Sequence, residues 1–309
     1  MSSARVRILM MRHATFYTPV IAAAAGGYLE AEGLDAEYLV KGESDDPLTM
    51  LQSGEIQIAQ SAVSSSWARI EKGLRNLPVH FAQINQRDGF WITARGSGGV
   101  SVTAQASSHD VGPFDWHRLE GRSILVDHGP QPLAMFRYAV EKQGADWSRI
   151  TVIDAGGPGA MDAAFREGEG DFIHQQGPAP HQLVRDGVGH IVAAVGLAIP
   201  PVAFSSLSAM PEFLRTEAAR AFMRGFREAS AWSVNGPSGK IAAMISSYFR
   251  GTNLGVLSSS VAAYKGLHCW SADPRISREH YDQALEVFTQ AGGLQRRPLY
   301  EDVVVEPPA

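Results

Sequence analysis

Three histidines, His13, His128 and His174, stand at or just past the ends of expected strands, on three different loops. Three imidazoles brought together can hold zinc, and one beside a substrate can move a proton. Nothing in their spacing fixes their mutual distance. A lone loop histidine is more commonly a hydrogen-bond donor or simply exposed, so neither a metal site nor a catalytic role is expected from them. The G-x-S-x-G and H-E-x-x-H signatures of hydrolases and metalloproteases are absent. Cys269 is the single cysteine, which excludes an internal disulfide and a cysteine metal cluster. The run GGPGA at 156–160 lacks the Gly-Lys-Ser/Thr ending of a phosphate loop, so nucleotide binding is not expected. No cofactor is called for.

What remains is chemistry suited to holding a ligand. The first loop, residues 12–18, carries His13, Thr15, Phe16 and Tyr17: hydrogen-bonding groups beside two aromatic faces. The alternative for Phe16 is plain core. The second loop, 60–66, offers Ser61 and Ser64, which could cap the helix that follows as well as meet a polar ligand head. The third, 85–91, packs Asn85, Arg87, Asp88 and Trp91 around an Asp-Gly turn. Farther on come His128, Gly129 and Gln131, then Gly157, then His174 and Gln175. Each of these three groups precedes a helix with proline near its first turn. Tight turns alone would explain the glycines; exposed backbone N–H groups facing a cleft are the functional reading.

The elements that must position these loops alternate strand and helix. Strands are expected at 6–11, 36–40, 56–60, 79–84, 90–94, 122–127, 150–154, 171–174, 190–195 and 202–206, with helices between most of them. That alternation predicts an α/β fold with largely parallel sheets, whose ligands sit at strand C-terminal ends. A small-residue helix is expected from Pro19 to Glu32, ended by Gly33, and another from Asp46-Pro47 to Gly54. Helices are expected at 211–235, 239–250, 256–267 and 277–291, packing back on the first lobe, followed by a loose tail, VVVEPPA. The Gly/Ser/Thr-rich stretch 95–115 reads as a long connecting loop.

Four stretches in order, PVIAAAAGGYLEAEGLDAEYL, DDPLTMLQSGEIQIAQSA, WHRLEGRSILVDHGPQPLAMFRYAVEKQGAD and GPGAMDAAFREGEGDFIHQQGPAPHQLV, resemble the substrate-binding proteins of ABC importers for nitrate, sulfonates, taurine and thiamine-pyrimidine precursors. The resemblance spans most of 6–209. It implies a two-lobed periplasmic-binding-protein-like type II fold with two crossovers, lobe 1 being residues 1–93 plus 203–309 and lobe 2 residues 94–202. It implies crossings at 95–115 and 195–204, closure about hinges near 90–94 and 195–204, and delivery of a small organic ligand to a possible ABC permease. A pyrimidine-like ring, a sulfonate or an aromatic carboxylate suits the loop residues better than a bare inorganic ion. Pyrimidine-precursor synthases in this group carry an iron-binding cysteine cluster, from which this chain departs. An intracellular enzyme on the same fold, such as a decarboxylase or a cofactor-pathway lyase, and a cytoplasmic ligand sensor are the alternatives.

Composition agrees with a globular chain of two lobes: 309 residues, 45% hydrophobic and 19% charged. A net charge of -5 without a basic block argues against a nucleic-acid partner. The apolar stretch 191–204 is too short for a membrane span, which needs about 20 residues. Residues 1–6 run directly into the first strand without a hydrophobic leader. Two compartments stay open: outside the membrane if a leader was removed, cytoplasmic if Met1 is native.

Overall fold

A computed structural model describes residues 3–96, 113–294 and 296–309. Ten strands form two five-stranded sheets. The first is ordered β2-β1-β3-β10-β4, from β2 (Leu34–Val40), β1 (Ala4–Met10), β3 (Ile58–Ser61), β10 (Ser205–Ala209) and β4 (Val79–Asn85). The second is ordered β7-β6-β8-β5-β9, from β7 (Thr151–Ile153), β6 (Ser123–Leu125), β8 (Phe172–Gln176), β5 (Phe90–Arg95) and β9 (Gly189–Ala194). Each sheet is the core of one lobe, and the two-lobed α/β architecture is as expected.

The sheets are mixed rather than largely parallel. β1 runs parallel to β2 and β3, and β6 parallel to β7 and β8. The strand that enters each sheet directly from the other lobe runs against its neighbours: β5 against β8 and β9, β10 against β3 and β4. A chain arriving across the cleft reaches its new sheet from the strand-end side, so it enters antiparallel without a helical crossover.

β4 and β5 lie in different sheets, so the chain first crosses between lobes at residues 86–89. Sheet membership thus puts residues 90–93 with the second sheet, where the sequence reading gave them to lobe 1. The stretch 95–115 joins two strands of one sheet and is not the crossing; its residues 97–112 lie outside the described residues. The return passes through residues 195–204, between β9 and β10. At the first crossing Gly89 admits the Phe16 ring: a Cβ there would lie 2.2 Å from two of its ring carbons.

The opening helix is split. Thr18–Ala25 ends at Gly26, Gly27 takes φ 76°, and Tyr28–Ala31 follows. A left-handed glycine bends the chain where one continuous helix was expected. Thr18–Ala25 buries six of its eight residues and packs on the long helix Glu217–Asn235. The expected helix at 211–235 is likewise broken, into Pro211–Leu214 and Glu217–Asn235. Two C-terminal helices reach beyond the first lobe: Leu254–Gly266 packs on Ala179–Arg185, and Arg278–Gln290 on Pro130–Lys142. The tail is not loose. Val303 and Val304 are buried, and Val305 N–H donates to the His80 carbonyl. No helix among the described residues is long and apolar enough to cross a membrane.

Candidate functional site

A cavity of about 530 Å³ lies between the lobes. From the first sheet it takes the chain just past β1, Met11 to Ala14, and past β2, Lys41 to Glu43. From the second it takes Phe90, Asp127, the first turn of helix Pro158–Glu167 and the end of β8 with its following turn. Parallel strands end here and a helix begins here, which is where the backbone leaves its polar groups free.

Two bonds define its geometry. Arg12 and Asp127, from opposite lobes, form a bidentate ion pair: Nη1 to Oδ2 at 2.5 Å and Nη2 to Oδ1 at 2.7 Å. Asp127 Oδ1 also accepts the Gly129 N–H at 2.9 Å. A Cβ on Gly129 would sit 3.1 Å from both Arg12 Nη2 and Asp127 Oδ1, so a side chain there would crowd the pair. Thr15 N–H donates to the Gly177 carbonyl at 3.0 Å, a second tie between the walls.

The two cavity histidines differ. His13 has both nitrogens engaged, Nε2 with the Tyr248 carbonyl at 2.8 Å and Nδ1 with the Tyr38 hydroxyl at 3.1 Å. A carbonyl can only accept, so Nε2 carries the hydrogen and Nδ1 receives that of Tyr38. The ring stacks on Phe249 at 4.4 Å, and desolvation lowers its pKa against the opposing pull of the Tyr248 carbonyl. His174, fully buried, lies flat on Phe90 at 4.2 Å and tilted on Phe136 at 4.9 Å. Neither of its nitrogens has a partner among the described residues, nor has Gln175 Oε1 beside it. Burial, aided by the Arg12 charge, takes the His174 pKa down to about 3. A neutral imidazole has one donor and one acceptor to offer.

His13, His174 and Gln175 line the cavity, and Gly157 caps the helix whose Pro158 and Met161 line it. His128 does not join them; its Nδ1 bonds the Val126 carbonyl at 2.8 Å. The three histidines do not converge, and no cluster of three or more metal-ligating side chains occurs among the described residues.

The first-loop aromatics are a correction. Phe16 and Tyr17 are buried and absent from the cavity wall, because a short 3-10 turn, Thr15–Tyr17, rotates them inward. Phe16 packs against Tyr17, Phe204 and Tyr264 at 5.2–5.3 Å. Thr15 bonds Ser260, Oγ1 to Oγ at 2.6 Å. The 85–91 set is also spent inside the protein. Asn85 Nδ2 donates to the Phe16 carbonyl, and Asn85 Oδ1 accepts from Ser205. Arg87 donates to the Gly196 carbonyl, and Trp91 packs on Tyr264 and His181. Asp88 Oδ1 accepts the Phe90 N–H at 2.7 Å, and burial raises its pKa to about 8. Ser61 pairs with Ser208. Ser64 donates to Gln131, whose amide donates to the Phe204 carbonyl. Ser64 with Gln131 and Trp91 with Tyr264 reach from one lobe to the other, while Ser61 and Asn85 bond within the first sheet and its loops.

The sequence alone places Arg12 in the 12–18 binding loop without singling it out, and does not point to Asp127 or Lys41. The signal was available: opposite charges at the ends of two strands whose loops were already under suspicion. Nothing local reveals that they meet, since 115 residues separate Arg12 from Asp127.

A family model described as NMT1/THI5 like matches residues 14–239. The chain is 26% identical over 304 residues to a protein of Bacillus subtilis (strain 168) described as a binding protein, YtlA, covering 97% of this chain and 87% of that protein. Among solved structures, the ligand-binding component of an ABC-type import system from Staphylococcus aureus, with zinc bound, superposes with TM-score 0.72 at 14% identity, covering 98% of this chain and 97% of that one. The alkanesulfonate-binding protein SsuA from Xanthomonas axonopodis pv. citri, bound to MOPS, gives TM-score 0.68 at 15% identity over 99% of both chains. At these identities the two structures speak for the shared periplasmic-binding-protein fold.

Proposed function

The chain belongs to the NMT1/THI5-like family, and from that premise we propose that it captures a small organic ligand between its lobes and delivers it to an ABC permease. The observation that carries this reading is the cavity itself. It is built from strand ends of both sheets, and its second-lobe wall holds buried polar atoms without partners among the described residues. Such atoms are costly to bury unsatisfied, and a ligand that hydrogen-bonds them offsets that cost. A pyrimidine-like ring, a sulfonate and an aromatic carboxylate are the ligand classes considered. Binding would be followed by movement of the lobes about residues 86–89 and 195–204, which alone connect the sheets in sequence.

Turnover is the less favoured reading. His13 has both nitrogens committed, and His174 stays unprotonated near neutrality, so neither is placed to donate a proton there. The test is native mass spectrometry of freshly purified protein, followed by incubation with whatever small molecule is released. Recovery of that molecule unaltered after many hours supports a binder. Its multiple-turnover conversion, abolished in His13→Ala or His174→Ala, would replace this reading with an enzyme.

A further inference from the structure

The charges that face the cavity cancel. Arg12 is held by Asp127 in a two-bond contact, and at the rim half-buried Lys41 and exposed Glu43 carry opposite signs. The inner pair is the one that counts, because rim charges are screened by water and salt, whereas Asp127 is 6% exposed. An anionic ligand head reaching for Arg12 finds that charge already matched by Asp127, which takes one N–H from each Nη and leaves the other guanidinium donors. It must therefore settle beside the buried Asp127 carboxylate, a second negative charge at short range. A cationic ligand drawn to Asp127 meets the Arg12 guanidinium in the same way. By contrast, two residues of the second-lobe wall, His174 and Gln175, carry uncharged polar atoms, both His174 nitrogens and Gln175 Oε1, that have no partner among the described residues.

We infer that the Arg12–Asp127 pair is a charge filter, so that the closed cleft takes a ligand of no net charge bearing both a hydrogen-bond donor and an acceptor, and Asp127 is the residue that rejects anions. This rests on the cavity being the ligand site. It narrows the ligand classes to the uncharged ring and sets aside the sulfonate and the carboxylate.

The experiment is calorimetric titration of ethanesulfonate and of benzoate into the wild type, Asp127→Asn and Arg12→Gln/Asp127→Asn. Asp127→Asn keeps the shape and an oxygen for Gly129 N–H while leaving the Arg12 charge unopposed. It should bind at least one anion about tenfold or more tighter than wild type, and the double variant should lose that gain. Gly129→Ala, which crowds the pair, should move anion affinity in the same direction and serves if Asp127→Asn does not fold. Equal affinity in wild type and variant, tighter binding by wild type, or no binding by any of the proteins overturns the filter. Mass spectrometry separates this from the importer reading. A released wild-type ligand with net charge overturns the filter alone, and absence of any released molecule counts against the importer reading while the titration still decides the filter.

Discussion

On the first-lobe wall of the cavity His13 gives both nitrogens to the protein, to Tyr38 and to Tyr248, and leans on Phe249. On the second-lobe wall His174 is clamped between Phe90 and Phe136, and neither nitrogen has a partner among the described residues. The same residue type thus does two jobs. The first ring is fixed by hydrogen bonds and builds the wall. The second is fixed by stacking alone, which orients it while leaving its polar atoms for something else. Stacking on aromatic faces makes this possible, because it constrains a ring without consuming its donor and acceptor. Behind both walls, the Thr15–Tyr17 turn and the 85–91 crossing are packed as core.

The largest effect should come from that core. Phe16→Ala removes a fully buried ring seated over Gly89 and should cost about 3–5 kcal/mol of stability. Chemical denaturation reads this directly. A small loss of stability with a large loss of ligand retention would return Phe16 to the cavity wall and undo the comparison.

Next in size is His174→Phe. It should reduce retention of the native ligand by about 1–3 kcal/mol, the cost of losing buried hydrogen bonds, with stability at pH 7 equal or higher. Native mass spectrometry and thermal unfolding check the two halves. The acid limb sharpens the point. His80, His174 and His181 are held neutral by burial, with pKa values of about 3, 3 and 4 against an ordinary 6.5. Depressed folded values mean stability present above pH 6.5 and lost as pH falls toward 3–4. His174→Phe should flatten part of that limb. An unchanged acid profile would mean that His174 is not held neutral by its surroundings.

Asp88 acts at the opposite end. Its carboxyl, raised by burial from 3.8 to about 8, favours the folded state most below pH 4, and that contribution is lost as pH rises through 8. Asp88→Asn should therefore be more stable than wild type at pH 8 by a larger margin than at pH 5. Melting temperatures at the two pH values decide it, and a margin independent of pH counts against a protonated Asp88 at the crossing.

A smaller effect is expected from His13→Phe. It keeps the stack on Phe249 but strips Tyr38 and Tyr248 of a partner, at about 1–2 kcal/mol of stability. If instead stability holds and ligand retention collapses, the two walls are alike. Smallest is Lys41→Ala at the rim, where the ammonium donates to the Gly42 carbonyl. Its effect on stability should stay within about 0.5 kcal/mol, and a larger shift in the denaturation midpoint would show a rim contact beyond that carbonyl.

Much of this molecule can be read from its residues. Strand positions follow from apolar runs, helix starts from Pro19 and Asp46-Pro47, and helix ends from Gly33 and Gly54, which adopt φ of 77° and 76°. These are local effects: a proline fixes its own φ and a glycine opens the left-handed region to its own backbone, whatever surrounds it. The loops at strand ends are legible for the same reason, and the cavity-lining His13, His174 and Gln175 lie in or beside them. Tertiary structure alone decided which side chains of those loops face the cavity. Phe16 and His13 are three residues apart in one loop, yet one ring is core and the other lines the wall. The turn at Thr15–Tyr17 takes its direction from Ser260, Tyr264 and Gly177, all distant in sequence. The Arg12–Asp127 pair is of the same kind. Its charges are visible in the chain, but their meeting depends on two sheets closing over one cleft, and no local pattern encodes a contact across 115 residues.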